Sequence, residues 1–300
     1  MDSDQPASQP ESAPATSASG HRAAAESGGG APHFRPLHVM SFNALFQTDS
    51  TAPGEPAHWA HRAPAIEALM ASERPDLLGL QEMQTHTFGP IEAGLGPAYR
   101  AVGTMGMKGG SQGLINPILF STERFELVGW DQFWLSDTPR VIGSTTWGNT
   151  GPRGATWVRL RDRESGDELI HLNTHLDHVI TQAKAHGARL IADRLRQFHL
   201  WGLPTITTGD FNSVAGGSPA YEILVDQAGL QDSWVAAEER LSPQVSTFPF
   251  FGEIEESDFR IDWILLSQGV RVLDATICTL RPEGVYPSDH LPVQAHVVMP

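Results

Sequence analysis

Apolar and polar residues follow one another along the chain in short blocks whose spacing separates strand from helix. Leu37 to Phe42 is a short apolar run that stops at Asn43, the pattern of a buried strand. A helix is predicted next, because Trp59, Ala63, Ile66 and Met70 recur at i, i+4, i+7 and i+11 and share one face, with Pro75 closing it. Asp76 to Leu80 reads as a strand buried on both faces, and it ends at Gln81-Glu82. The same order returns later. A strand from Glu168 to Leu172 runs into Asn173-Thr174-His175-Leu176-Asp177-His178, and a helix then carries Ile180, Lys184, Gly187, Ile191, Leu195 and Phe198 down one side. A further strand, Pro204 to Thr208, ends at Gly209-Asp210-Phe211-Asn212. Pro117 to Phe120, Phe125 to Trp130 and Thr156 to Leu160 read as strands joined by turns, and Arg260 to Ser267 and His290 to Met299 as the final pair. Two strand–helix–strand units of one style predict an α/β sandwich of two mixed sheets packed face to face, with polar residues at the strand ends.

The first 33 residues are mostly Ala, Ser, Pro, Gly and Gln and bury too little apolar surface to offset the entropy of ordering, so residues 1–33 are expected to be a disordered tail. From residue 34 to 300 no second low-complexity break occurs, which predicts one domain. The formal charge is −15, and the tail contributes little because Arg22 offsets part of Asp2, Asp4, Glu11 and Glu26. An acidic domain repels polyanions at long range, which excludes a protein that coats nucleic acid through a basic face. It does not exclude catalysis on phosphate esters, because a bound cation inverts the local charge.

Cys278 is the only cysteine, so no intrachain disulfide exists, and its apolar setting predicts a buried, inert thiol. No stretch approaches the roughly 20 apolar residues that span a bilayer. The amino terminus lacks a basic segment followed by an apolar one, so no signal peptide is expected and the chain as it stands reads as cytoplasmic. A leader cleaved ahead of it would make it secreted, and the Ala/Ser/Pro tail resembles the spacers that follow such sites.

Six segments place Asn, Asp, Glu or His where an apolar strand ends: Asn43, Glu82, His175, Asp210 with Asn212, Asp262, and Ser288-Asp289-His290. Any one of them alone is more often a turn former than a catalytic group. Asp262, inside Arg260-Ile261-Asp262-Trp263-Ile264-Leu265, is harder to treat as structural, since a carboxylate in an apolar run must be paired or bind a cation. The segments Ser41-Phe42-Asn43, Leu80-Gln81-Glu82, Asn173-Thr174-His175-Leu176-Asp177-His178, Gly209-Asp210-Phe211-Asn212, Arg260-Ile261-Asp262-Trp263-Ile264 and Ser288-Asp289-His290-Leu291-Pro292-Val293 resemble, in order and spacing, the endonuclease/exonuclease/phosphatase superfamily over about residues 37–300. Phe133-Trp134-Leu135-Ser136-Asp137-Thr138-Pro139 and Arg153-Gly154-Ala155-Thr156-Trp157 look like a bacterial branch similar to the deadenylase-like members.

That resemblance implies a DNase I-like, four-layer αββα sandwich and hydrolysis of phosphate esters with Mg²⁺ or Mn²⁺. It implies Glu82, Asn43 and Asp289 at the metal, and His175, Asp210, Asn212, Asp262 and His290 as catalytic residues. Asp262 would fix the tautomer of His290, Asp210 would orient or deprotonate the attacking water, and whether Asp210 or the His–Asp pair is the base stays open. Asn212 and His175 would donate to the phosphate oxygens. Arg153, whose planar fork suits phosphate, Asn116 and His178 are candidate phosphate contacts, with an ordinary ion pair the alternative for Arg153. Asn116 stands where many members of the family place a Tyr or Glu. The glycine-rich stretch Val102 to Gln112 holds Lys108, one of only two lysines, and reads either as a phosphate cradle or as a surface loop.

The expected partner is the phosphate-ester substrate itself, DNA or RNA first, with the chain acting as a monomer. Trp130, Trp134, Trp147 and Trp157 are candidates for stacking on bases, with core packing the alternative. Inositol or sugar phosphates and a sphingomyelinase-like activity are the next substrates. Two rivals come from other classes. Asn173-x-His175-x-Asp177-His178 partly matches the dinuclear zinc motif of metallo-β-lactamase-like hydrolases. A catalytically inactive binding protein on the same fold would have lost Glu82, His175, Asp210 or His290, and none is lost.

Overall fold

The computed structural model describes residues 35–48, 50–111 and 113–300, and the tail expected over residues 1–33 lies outside them. In chain order the elements are β1 (Leu37–Asn43), α1 (Trp59–Glu73), β2 (Leu77–Gln81), α2 (Gly89–Leu95), β3 (Tyr99–Val102), β4 (Ile118–Ser121) and β5 (Phe125–Trp134). There follow β6 (Gly154–Asp162), β7 (Glu168–His175), α3 (Thr181–His199), β8 (Thr205–Asp210), β9 (Gln231–Asp232), β10 (Glu239–Arg240), β11 (Asp262–Leu266), β12 (Arg271–Ile277) and β13 (Val293–Val298). One sheet runs β10-β12-β13-β1-β2-β4-β3 and the other β5-β6-β7-β8-β11-β9. The parallel pairs β1–β2 and β7–β8 are crossed by α1 and α3, and every other pair within the central strands is antiparallel.

Alternation along the strands sorts side chains into three apolar layers. Leu37, Val39, Leu77, Phe120, Leu169, Ile206 and Ile264 fill the space between the sheets. Met40, Phe42, Leu78 and Leu80 face Ile66, Leu69 and Met70 of α1. Ile170, Leu172 and Leu265 face Ile191, Leu195 and Phe198 of α3. Helix, sheet, sheet and helix therefore stack as the four-layer sandwich expected from the sequence.

Differences from the sequence reading have local causes. The buried stripe of α1 is Arg62, Ala65, Ile66, Leu69 and Met70, because a fully buried arginine takes a position that a hydrophobic pattern skips. Trp59 and Ala63 fall on its flank, only partly buried. The last strand begins at Val293 rather than His290, since Ser288, Asp289 and His290 belong to the loop before it. Helix α2 and strands β3, β9, β10 and β12 were not predicted; they are short or half-exposed and carry weak periodicity.

Beneath the strand ends, the sheets are keyed together by a buried polar network. Gln81 Nε2 of β2 donates to Asn173 Oδ1 of β7 at 2.7 Å, and Asn173 Nδ2 donates back to Leu80 O at 2.7 Å and Pro117 O at 3.0 Å. Thr208 Oγ1 donates to Asn173 Oδ1 at 3.1 Å. With that proton committed, the hydroxyl accepts from His171 Nε2 at 2.9 Å, which leaves His171 neutral and its Nδ1 without a partner among the described residues. Burial alone holds the His171 imidazole down at about 3. Gly79 allows this close approach: a Cβ there would lie 2.1 Å from Thr208 Oγ1 and 2.6 Å from Asn173 Oδ1.

Gly79→Ala is therefore expected to destabilise the fold by about 2–3 kcal/mol, read by chemical denaturation, because sheet and network must move apart. For His171, the unfolded chain binds a proton near pH 6.5 that the folded state refuses until about pH 3. Stability should fall between those values as pH drops, by up to about 1.4 kcal/mol per pH unit from this group. His171→Asn should flatten that slope in denaturant titrations at pH 5 and 7.

Candidate active site

Strand register builds the site. Asp210, the last residue of β8, is paired directly with His175, the last of β7, and with Asp262, the first of β11. Directly opposed residues project from the same face of a sheet, so imidazole and two carboxylates meet in the space between the layers. The other sheet brings Asn43, at the end of β1, opposite Gln81, and Glu82 follows. Glu82 and Asn212 both sit in the left-handed region, at φ 58° and 47°, a costly conformation for such residues that turns each side chain into the site.

The resulting distances are short. His175 Nε2 lies 3.3 Å from Asp210 Oδ2 and 3.9 Å from Glu82 Oε1. His290 Nδ1 lies 2.9 Å from Asp262 Oδ2, while its Nε2 points at Asp210 Oδ2 from 3.8 Å. Asn43 Nδ2 donates to Asp210 Oδ2 at 2.9 Å and Glu82 Oε1 at 3.2 Å, and its own oxygen accepts from Leu45 N–H at 3.0 Å. Asn43 thus stands between two carboxylates as a donor, with its oxygen turned to the Leu45 N–H. Asn212 Nδ2 is 2.9 Å from His175 Nε2 and donates to Leu176 O.

Burial and neighbouring charge divide these groups. Burial, then repulsion from Arg153, His290 and His178, holds His175 well below its usual range, so it is neutral. His290 goes the other way: burial opposes its charge, but Asp262 and Asp210 overcome it and push the imidazole up to about 10. Burial, reinforced by Asp262 and opposed by His290, raises the Asp210 carboxyl. Asp289 is raised by burial as well, with Glu82 adding to the shift and His290 and Arg62 opposing it.

Three cations surround this anionic cluster without capping it. Arg62, fully buried, donates to the carbonyls of Ala44 and Pro287 at 2.8 Å, Leu45 at 2.9 Å and Ala57 at 3.1 Å. It ties the loop after Asn43 to the loop that carries Asp289 and His290. Burial lowers its pKa to about 10, and the fields of Asp289 and Glu82 oppose the shift. Arg153 is engaged with His178 Nδ1 at 2.9 Å, and Lys184 Nζ donates to Asn212 O at 2.6 Å. Among the described residues none of the three makes a direct ion pair with a carboxylate of the site.

A divalent cation fits this donor set. Ligand atoms of Glu82, His175 and Asp210, and again of Asp210, Asp262 and His290, lie within 4.8 Å of one another. The donors are mainly hard carboxylate oxygens, which suit Mg²⁺ or Mn²⁺. Among the described residues buried Asp262 Oδ1 has no hydrogen-bond partner, and Glu82 remains partly exposed.

The sequence-predicted residues converge unevenly. Asn43, Glu82, His175, Asp210, Asn212, Asp262 and His290 share one site. Asp289 is adjacent and buried, accepts from Ser288 Oγ at 3.2 Å, and lies outside both ligand triplets. Arg153, His178 and Asn116 line a cleft of 720 Å³ that opens onto His175, with Asn116 Nδ2 also donating to Gly154 O. None of Trp130, Trp134, Trp147 and Trp157 lines it. Trp134 donates to Met107 O, Trp147 stacks on His186, Trp157 packs against Phe198 and Trp130 lies on the surface. The dinuclear zinc motif is not assembled: Asn173 is spent in the inter-sheet network, and Asp177 accepts from the N–H groups of Val179, Ile180 and Thr150. Arg62 was missed. Its signal was an arginine in phase with the apolar stripe of α1, at i, i+3, i+4, i+7 and i+8.

A two-sheet sandwich with paired carboxylates and histidines converging at its strand ends defines a class of hydrolytic phosphoesterases. The chain belongs to the Endonuclease/Exonuclease/phosphatase family, whose sequence profile matches residues 40–290. No curated protein sequence matches it significantly. Among solved structures, an endonuclease/exonuclease/phosphatase from Bacteroides vulgatus is similar at 27% identity and TM-score 0.80, covering 89% of this chain and 100% of that one. A mannosyl-6-phosphatase from Bacteroides thetaiotaomicron is similar at 28% identity and TM-score 0.78, covering 88% and 100%. The human Nocturnin catalytic domain shares the fold at 21% identity and TM-score 0.65, over 87% of this chain and 94% of that domain.

Arg62→Met should cost about 3–5 kcal/mol in denaturant titrations with EDTA present, because four carbonyls lose their donor. Arg62→Lys should fall between it and the parent, since an ammonium keeps the charge but not the fork.

Proposed function

We propose that the chain is a divalent-metal-dependent phosphoesterase that hydrolyses a compact phosphate ester, a phosphorylated sugar in the first instance, by attack of water. The observation that carries this reading is Asp210, flanked in register by His175 and Asp262 and facing Glu82 across the two sheets. Glu82 and Asp210, with Asp289 beside them, would hold Mg²⁺ or Mn²⁺, and that ion when bound neutralises phosphate charge and lowers the pKa of water.

The chain's own groups divide the remaining tasks. His290, protonated and held by Asp262, stabilises charge on the phosphate oxygens. Asp210, whose proton affinity burial raises, orients the water and accepts its proton. Asn212 Nδ2 donates to a phosphate oxygen, and the Asn43 amide keeps Asp210 and Glu82 apart. Arg153 and His178 receive the phosphate from the cleft side.

Two observations favour a compact substrate over nucleic acid. The cleft offers 720 Å³, a volume for a small molecule, and the tryptophans expected to stack bases do not line it. The similarity to a mannosyl-6-phosphatase supports the same choice. Single-stranded DNA, RNA, inositol phosphates and sphingomyelin remain comparison substrates.

Hydrolysis of hexose 6-phosphates and of bis-(p-nitrophenyl) phosphate is expected with Mg²⁺ or Mn²⁺ and is abolished by EDTA. Asp210→Asn and His290→Ala should each lower kcat by at least roughly 10²-fold. Unchanged rates in both variants, or full activity in EDTA, would refute the assignment.

A further inference from the structure

The cleft beside the catalytic cluster has a charge pattern that hydrolysis alone does not use. The chain carries 35 acidic residues against 20 Lys and Arg, yet among the described residues those lining this cleft include Lys108, Arg153, His86 and His178 and no Asp or Glu. An anionic ligand meets no like charge from these residues. Arg153 stands at the hydrolytic end, beside His175 and within the fields of Asp210 and Glu82. Lys108 lies on a different wall, in the loop between β3 and β4.

The choice of cation is informative. The chain has eighteen arginines and two lysines, so lysine is not its ordinary surface cation. One lysine, Lys108, lines the cleft, and the other, Lys184, stands beside the catalytic cluster. Lys184 holds the loop of Asn212 through its carbonyl, whereas Lys108, among the described residues, has neither a carboxylate nor a hydrogen-bond partner. The loop that presents Lys108 is anchored. Met107 N–H donates to Leu114 O at 2.9 Å, Gly106 N–H to Gly110 O at 2.9 Å, and Trp134 Nε1–H to Met107 O at 2.7 Å, while Met107 is buried. An exposed ammonium with no partner among the described residues thus lines the cleft from an anchored loop.

We infer that Lys108 binds a second anionic group of the substrate, a carboxylate or a second phosphate, at the end of the molecule remote from the ester being hydrolysed. The inference rests on the phosphoesterase reading and narrows it to doubly anionic compact phosphate esters, such as phosphorylated sugar acids and sugar bisphosphates. One charge-assisted hydrogen bond from lysine corresponds to about tenfold in affinity, and the advantage shrinks as salt screens it.

The test compares kcat/KM for glucose 6-phosphate, 6-phosphogluconate and fructose 1,6-bisphosphate in the metal-loaded full chain and its Lys108→Met and Lys108→Arg variants. Lys108→Met should lower kcat/KM for the two doubly anionic substrates about tenfold relative to glucose 6-phosphate, through KM, and Lys108→Arg should retain most of the difference. The stronger response of the two shows whether a carboxylate or a phosphate is preferred. An equal effect of Lys108→Met on all three substrates, or no effect, overturns the inference while leaving the hydrolase reading intact. A parent chain that hydrolyses neither these esters nor bis-(p-nitrophenyl) phosphate overturns the reading beneath it.

Discussion

Four carboxylates, Glu82, Asp210, Asp262 and Asp289, are brought together in a largely dry space, and the rest of the structure answers the repulsion this creates. Direct ion pairs would relieve it at the expense of the oxygens themselves, because a guanidinium that caps a carboxylate removes it from coordination and from proton transfer. Here the compensating cations stand one layer back. Arg62 spends its donors on four backbone carbonyls, Arg153 on His178 and Lys184 on a carbonyl, so their charge reaches the site while none of the three caps a carboxylate oxygen. His290, paired with Asp262, keeps Nε2 of the ring facing Asp210.

Such a cluster needs its two halves held in fixed relation, and apolar packing between two twisted sheets does not by itself set a register. The network of Gln81, Asn173, Thr208 and His171 supplies it directly below the site. Gln81 precedes Glu82 by one residue, Asn173 precedes His175 by two and Thr208 precedes Asp210 by two, so each network member fixes the strand end that carries a functional group. Gly79 makes room for the contact, which explains a glycine in the middle of a fully buried strand.

The parts of this arrangement that repeat with a short period were legible in the sequence. The apolar runs of β1, β2, β7 and β8, the long amphipathic α3 and the polar residues that end each strand define the sandwich and most of the site. What escaped notice was set by contacts distant in sequence. Arg62 counts as polar in any pattern, yet it is interior because carbonyls from residues 44, 45 and 287 converge on it. The four tryptophans were candidates for stacking on bases, whereas Trp134 is held by Met107 O and Trp157 packs against Phe198 of α3. Strand β12 alternates only weakly, and its pairing with β13 decides its place.

The position of β13 has a consequence for synthesis. It lies between β1 and β12 near the middle of its sheet, although β1 emerges from the ribosome some 250 residues earlier. At translation rates of about 5–20 residues per second, the antiparallel edge of β1 waits on the order of ten to fifty seconds for its neighbour. Asp289 and His290 arrive only just ahead of that strand, so the site that joins them to Glu82 and Asp210 cannot assemble before that point of synthesis. During that interval an unpaired strand edge is open to chaperones, or to another copy of itself.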